Sequence, residues 1–192
     1  MRIAILIGSP NKDGSSNLLA ESFARGTREW ASNASIPFMS LSEMICYPDR
    51  LVDLFVNAEI PPAVNQIECH PFYQREYDLA VMKDLGVTPM AWAPLAEGGH
   101  SIWNHPVLSE IARKHGKSVA QIALRFNVQR GVIVIPKTVH ESRMAENIGI
   151  WDFELNTEDM DRISELDTGH TEIIDHLDIG IVKFLNQHKI HD

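Results

Sequence analysis

The chain has 192 residues, 44% of them hydrophobic, enough for one well-buried domain. Its formal net charge of -9 is scattered along the chain and would repel DNA or RNA, so nucleic acid is excluded as the expected partner. Cys46 and Cys69 are the only cysteines, too few for a disulfide framework and not in a Cys-x-x-Cys pair, which fits a reducing cytoplasm.

The opening apolar run over residues 3–7 breaks at Gly8-Ser9-Pro10 and reads as a first strand. No apolar run approaches membrane length, so no membrane partner is expected. A helix is predicted over 16–30, then a seam of poor periodicity between about Trp30 and Tyr47 that contains Ser32-Asn33-Ala34-Ser35 and a weak strand over 36–41. Pro48 and Asp49 open a helix over 48–57. A strand over 63–67, a helix over 76–85 closed by Gly86, and a strand over 88–92 follow. A helix over 118–129 ends before Gly131, and a strand spans 132–135. Asn156-Thr157-Glu158-Asp159 starts another helix, and residues 179–185 form a short amphipathic segment. Short continuous apolar runs separated by amphipathic helices predict an α/β fold of about five parallel strands with flanking helices.

Gly8 to Asn17 joins the first strand to a helix and carries several hydroxyls, an arrangement that aims backbone N–H groups at an anion. The plainer reading is a Ser/Asn-capped turn opening an ordinary helix. The segment resembles the first phosphate loop of flavodoxin-like NAD(P)H-dependent FMN reductases. That resemblance covers about residues 1–46 and implies that Ser9, Ser15, Ser16 and Asn17 contact the FMN phosphate; the later flavin loops of that family have no match.

From Tyr47 onward a second set of motifs runs in order. It comprises Tyr47-Pro48-Asp49-Arg50-Leu51, the stretch Pro62 to Pro71 (PAVNQIECHP), Ala91-Trp92-Ala93-Pro94-Leu95, Ala120 to Arg125 (AQIALR), Ile135-Pro136-Lys137-Thr138-Val139, Arg143-Met144-Ala145-Glu146-Asn147 and Phe153-Glu154-Leu155. Lys137 and Arg143 bracket a hydroxyl at Thr138, so a point charge and a planar fork are available to one anion. In order and spacing these pieces resemble the aldo-keto reductases. The resemblance implies that Lys137, Thr138 and Arg143 hold the 2′-phosphate of NADPH, with Val139 a cofactor contact in the same motif and Glu146 and Asn147 beside the adenine. It also places Gln66 on the nicotinamide carboxamide, Trp92 against the ring, and the Ala93 to Leu95 backbone along the pyrophosphate. Each residue has a plainer alternative: solvated charges at Lys137 and Arg143, a satisfied strand-end amide at Gln66, core packing at Trp92.

The family's catalytic Asp, Tyr, Lys and His lie on early barrel strands, and no segment before Tyr47 resembles them; its Ser-Asn carboxamide pair aligns with Met44 and Ile45. Tyr73, Tyr77, His70 and His100 are substitutes by residue type only, and Gly169-His170 to Asp175-His176 resembles the family tail, with no metal site expected. The chain is also shorter than the roughly 250 residues of a complete (β/α)8 barrel. The expectation is one composite domain, residues 1–46 flavodoxin-like and 47–192 an aldo-keto reductase half-barrel, making either a flavodoxin-like sheet or a partial barrel. Functionally it would be an NADPH-binding, oxidoreductase-derived protein; the alternatives are an NADPH-dependent flavin reductase holding FMN and a catalytically inactive chimera. Exposed sheet edges would favour a homodimer or larger homo-oligomer.

Overall fold

Capping residues and apolar runs set most of the boundaries in the computed structural model, which describes residues 5–7, 38–40, 48–171, 173–175 and 178–187. The described residues divide into two units. One takes those within Met1–Gln66, Ala80–Val87 and Asp175–Asp192, the other those within Ile67–Leu79 and Thr88–Ile174. The helix expected over 16–30 lies outside the described residues.

In the first unit, β1 (Ile5–Ile7) pairs in parallel with β2 (Phe38–Ser40), with Ile5 opposite Phe38 and Ile7 opposite Ser40. Helix α1 (Pro48–Asn57) begins on its proline, where a missing N–H costs nothing, and buries Leu51 while Val52 and Val56 stay exposed. Helix α2 (Glu76–Leu85) ends in this unit at Gly86, whose φ of +69° is the left-handed turn that only glycine adopts without strain. Helix α7 (Ile179–Gln187) is capped by Asp178, whose carboxylate accepts from the Gly180 and Ile181 N–H groups at 2.6 and 3.1 Å.

The second unit carries a three-stranded sheet in the order β3 (Val64–Glu68), β4 (Thr88–Trp92), β5 (Ile133–Val134), with residues 67–68 of β3 belonging to this unit. β4 and β5 are parallel, Met90 opposite Ile133 and Ala91 opposite Val134. The expected single sheet of about five strands is therefore corrected: among the described residues the five short strands divide into a sheet of three, β3-β4-β5, and a separate parallel pair, β1-β2. β5 is shorter than the predicted 132–135 for a local reason. The Val132 N–H closes helix α4 (Val119–Gln129) by donating to the Asn127 carbonyl at 3.0 Å, and Pro136 has no N–H to extend the ladder.

Helix α4 is the centre of this unit, with residues 121–127 all buried. Its apolar members Ile122, Ala123 and Phe126 join Phe72, Ile102, Leu155 and Ile163 and residues of helix α3 (Pro106–His115), Leu108 and Ile111, in one core. Each large side chain so buried stabilises by about 1.5–3 kcal/mol. Its polar members are matched: Arg125 donates to the Ile150 carbonyl at 3.2 Å, and Asn127 donates to the Cys69 carbonyl at 3.1 Å. Helices α5 (Glu141–Ile148) and α6 (Thr157–Ser164) complete the unit; Asn156 caps α6 in a reciprocal box with Asp159, as its sequence predicts.

Candidate nucleotide site

A cleft of about 750 Å³ opens in the second unit where three chain segments leave regular structure. The first is the stretch after β4. Its turns are closed by backbone hydrogen bonds from Ala96 to the Ala93 carbonyl (2.8 Å), from Gly98 to Leu95 (2.9 Å) and from Gly99 to Ala96 (2.8 Å). Ala93, Ala96, Glu97, His100 and Ser101 all have φ between 50° and 53°, a left-handed conformation that costs a non-glycine residue about 1 kcal/mol or more. Such strain persists because the surrounding bonds fix the loop, with Ile102 buried in the core at its far end.

The second segment is the start of α4, where Ser118, Val119 and Ala120 line the cleft. Ser118 and Gln121 form a capping box, with Gln121 N–H donating to Ser118 Oγ at 3.2 Å and Ser118 N–H donating to Gln121 Oε1 at 3.0 Å. The third segment runs from Ile135 to α5. Thr138 Oγ1 accepts from the His140 N–H at 3.1 Å, turning the chain into the helix. Arg143, Glu146 and Asn147 lie three and four residues apart, on one face of α5, and all three line the cleft.

Of the sequence-predicted residues, Ala93, Leu95, Lys137, Thr138, Arg143, Glu146 and Asn147 line this one cleft. Val139 does not line it and is 80% exposed. Trp92 is half-buried at the end of β4, its carbonyl accepting from Cys69 N–H at 3.4 Å. Gln66 is buried at 8% exposure and belongs to the first unit. The FMN-loop residues Ser9, Ser15, Ser16 and Asn17 lie outside the described residues. Residues 118–120 and Trp103 also line the cleft and were not anticipated; the Ser118-x-x-Gln121 capping pattern was the signal for the former.

Lys137 and Arg143 are exposed and make no ion pair or hydrogen bond with any of the described residues. Other basic side chains of this unit are engaged: Lys114 with Asp159 at 2.8 Å, Lys117 with Asp152 at 2.7 Å, Arg130 with Glu76 at 2.8 Å. Glu97 and Glu146 also line the cleft, so its positive character is local to Lys137 and Arg143. Two cations, a hydroxyl and the opening N–H groups of α4 give a donor set suited to an organic phosphate.

None of the substitutes suggested by residue type lines the cleft. His70 is fully buried, with Nδ1 accepting from the Phe72 N–H at 3.3 Å and Nε2 3.1 Å from Glu68 Oε1; Thr171 Oγ1 donates to the other Glu68 oxygen at 2.6 Å. Tyr73 lies under the Arg75 guanidinium, Tyr77 is 73% exposed, and His100 stands 4.9 Å from the Phe72 ring. Burial pushes the Cys69 thiol up, against a smaller pull from Arg130, which favours its protonated form. Among the described residues no group of three or more His, Cys, Asp or Glu is placed to hold a metal, and no helix is long and apolar enough to cross a membrane.

Comparison with known proteins gives this geometry a family. The family model of the Aldo/keto reductase family matches residues 47–168. The chain is 45% identical over 117 residues to the glyoxal reductase of Bacillus subtilis, covering 61% of this chain and 42% of that protein. Its fold is similar to that of a Gox0644 mutant in complex with NADPH, at a TM-score of 0.66 and 26% identity, covering 88% of this chain and 60% of that one. It is also similar to the Bombyx mori aldo-keto reductase AKR2E4 in complex with NADP, at a TM-score of 0.65 and 28% identity over 92% and 61% of the two chains. The chain spans 41–44% of the length of the curated relatives it matches. With more than half of its residues matched, from the helix α1 entrance to the end of α6, this chain belongs to the aldo/keto reductase family.

Proposed function

We propose that the chain binds NADPH in this cleft as the cofactor-holding part of an aldo-keto reductase-type oxidoreductase. The observation that carries the reading is the convergence on one cleft of Lys137, Thr138, Arg143 and Asn147 with the Ala93 to Leu95 turn, the two cations lacking any counter-ion among the described residues. Arg143 offers a planar fork and Lys137 a point charge to the 2′-phosphate, while Asn147 and Glu146 supply the polar edge facing the adenine. The backbone of Ala93 to Leu95 and the N-terminus of α4 receive the pyrophosphate. Trp92 marks the nicotinamide end, Val139 being a peripheral contact.

Bound NADPH supplies a hydride, and reduction of a carbonyl then requires a proton for the developing alkoxide. Among the described residues that line the cleft there is no Tyr, His or Cys to donate it, and binding is the activity assigned to these residues. The flavin-reductase alternative rests on a loop outside the described residues. Titration calorimetry tests the reading: NADPH binds the wild-type chain, and the Lys137→Ala/Arg143→Ala double variant weakens it at least tenfold. An unchanged titration in the double variant rejects the assignment.

A further inference from the structure

Trp103 is a large aromatic residue that is 49% exposed, on a turn (Ile102–Asn104) whose neighbour Ile102 is fully buried. Burial of the neighbour fixes the turn, so the half-exposed indole is held in place rather than left to wander. The indole walls the cleft together with Gly98. A Cβ added at Gly98 would stand 3.3 Å from the indole Nε1, tighter than ordinary contact, and Gly98 has a φ of +82°. Glycine at 98 therefore serves twice, permitting the left-handed turn and leaving room for the indole nitrogen against the backbone.

That nitrogen carries a donor and no acceptor function, and it has no hydrogen-bond partner among the described residues. At 49% exposure the indole stays accessible to a ligand that enters the cleft. Three donors without a partner among the described residues, those of Lys137, Arg143 and Trp103, thus border one cleft. Trp103 and the Ala93 to Leu95 turn belong to the same excursion between β4 and α3.

We infer that Trp103 is a further binding residue of this cleft, its indole N–H donating to a phosphate oxygen of the bound dinucleotide and its ring shielding that oxygen from water. The inference rests on the NADPH reading above and adds a residue to it. A donor-only group bordering the cleft suits an oxyanion and does not suit a cation.

The test is NADPH titration by calorimetry of wild type, Trp103→Phe, Trp103→Ala and Arg143→Ala, with a thermal melt of each unliganded variant. Trp103→Phe keeps the ring and removes the N–H; affinity is expected to fall about tenfold, the size of one hydrogen bond to a charged group. Trp103→Ala falls further, because the shield goes too. Melting temperatures of the unliganded Phe variant match wild type, since the side chain is half exposed. Wild-type affinity in Trp103→Phe, with Arg143→Ala weakened, overturns the inference and leaves the NADPH reading standing. Loss only in Trp103→Ala overturns the donor role. Failure of wild type to bind NADPH overturns both.

Discussion

The Nε2 of Gln121 donates to the Gly149 carbonyl at 2.8 Å and to that of Glu146 at 3.1 Å, so one side chain at the start of α4 closes the C-terminus of α5. Its Oε1 meanwhile completes the α4 capping box. The cleft wall bearing Arg143, Glu146 and Asn147 is thus fixed to the wall bearing Ser118 to Ala120 through a single amide. Gln121→Glu separates the two jobs. The carboxylate still accepts from Ser118 N–H but presents negative charge to the carbonyl end of α5. Stability at pH 7 is expected to fall by about 2 kcal/mol from the lost hydrogen bonds, read as a lower urea midpoint, and NADPH affinity to fall with it. A variant as stable as wild type would show that Gln121 does not hold α5.

Asp159 is fully buried and accepts from Lys114 Nζ and His115 Nε2, each at 2.8 Å, and from Asn156 N–H at 3.4 Å. Burial pushes its carboxyl up, but the Lys114 and His115 hydrogen bonds, with the backbone bond from Asn156, outweigh burial and hold it below its ordinary value of 3.8. A carboxyl lowered in the folded state binds protons more readily when unfolded. Its contribution is therefore complete above the unfolded value and is lost as pH falls through the lower folded one. Asp159→Asn is expected to cost about 2 kcal/mol at pH 7 and to flatten the acid limb below about pH 4. Urea unfolding at pH 7 and pH 3 measures both; an equal cost at the two pH values would rule out the charge as the cause.

Much of this was legible in the sequence where a signal is local. Pro48, Gly86 and the Asn156-to-Asp159 box each mark an element end by their own chemistry, and the observed ends follow them. Helix α3 was passed over although Pro106 at its start, three basic residues in its last turn and Gly116 after it are the same kind of signal. Lys137, Thr138 and Arg143 could be grouped because spacing on a loop and a following helix is short-range, whereas Asn147 came only from the family resemblance; all four line one cleft. The loop from Ala93 to Ser101 was not legible. Its left-handed residues are alanine, glutamate, histidine and serine, whose own preferences oppose that conformation, so tertiary bonds decide it. Trp103 was missed for the same reason, since its place on the cleft depends on that loop.

Gly116 closes α3 with φ 63° and ψ 33°, and its N–H donates to the Arg113 carbonyl at 3.3 Å. A Cβ there would meet nothing within 4 Å. Gly116→Ala therefore isolates the conformational cost of the left-handed cap from any clash, and is expected to lower stability by about 1 kcal/mol. Gly116→Asn, whose side chain tolerates the same region, loses about half as much. Chemical denaturation of the pair against wild type checks the order; equal costs for Ala and Asn would point to packing instead.

Arg143 and Lys137 meet the same anion in the proposed complex with different geometry, and the difference is measurable. Arg143→Ala is expected to weaken NADPH by about 10- to 100-fold, the range of charge-assisted hydrogen bonds, while NADH, which lacks the 2′-phosphate, changes little. Arg143→Lys restores the charge but not the planar fork, so only part of the loss returns. Because both side chains are exposed, added salt weakens wild-type binding more than binding by Arg143→Ala. Titrations of the three proteins with NADPH and NADH at low and high salt separate charge from shape. Equal losses for the two nucleotides in Arg143→Ala would place Arg143 away from the 2′-phosphate.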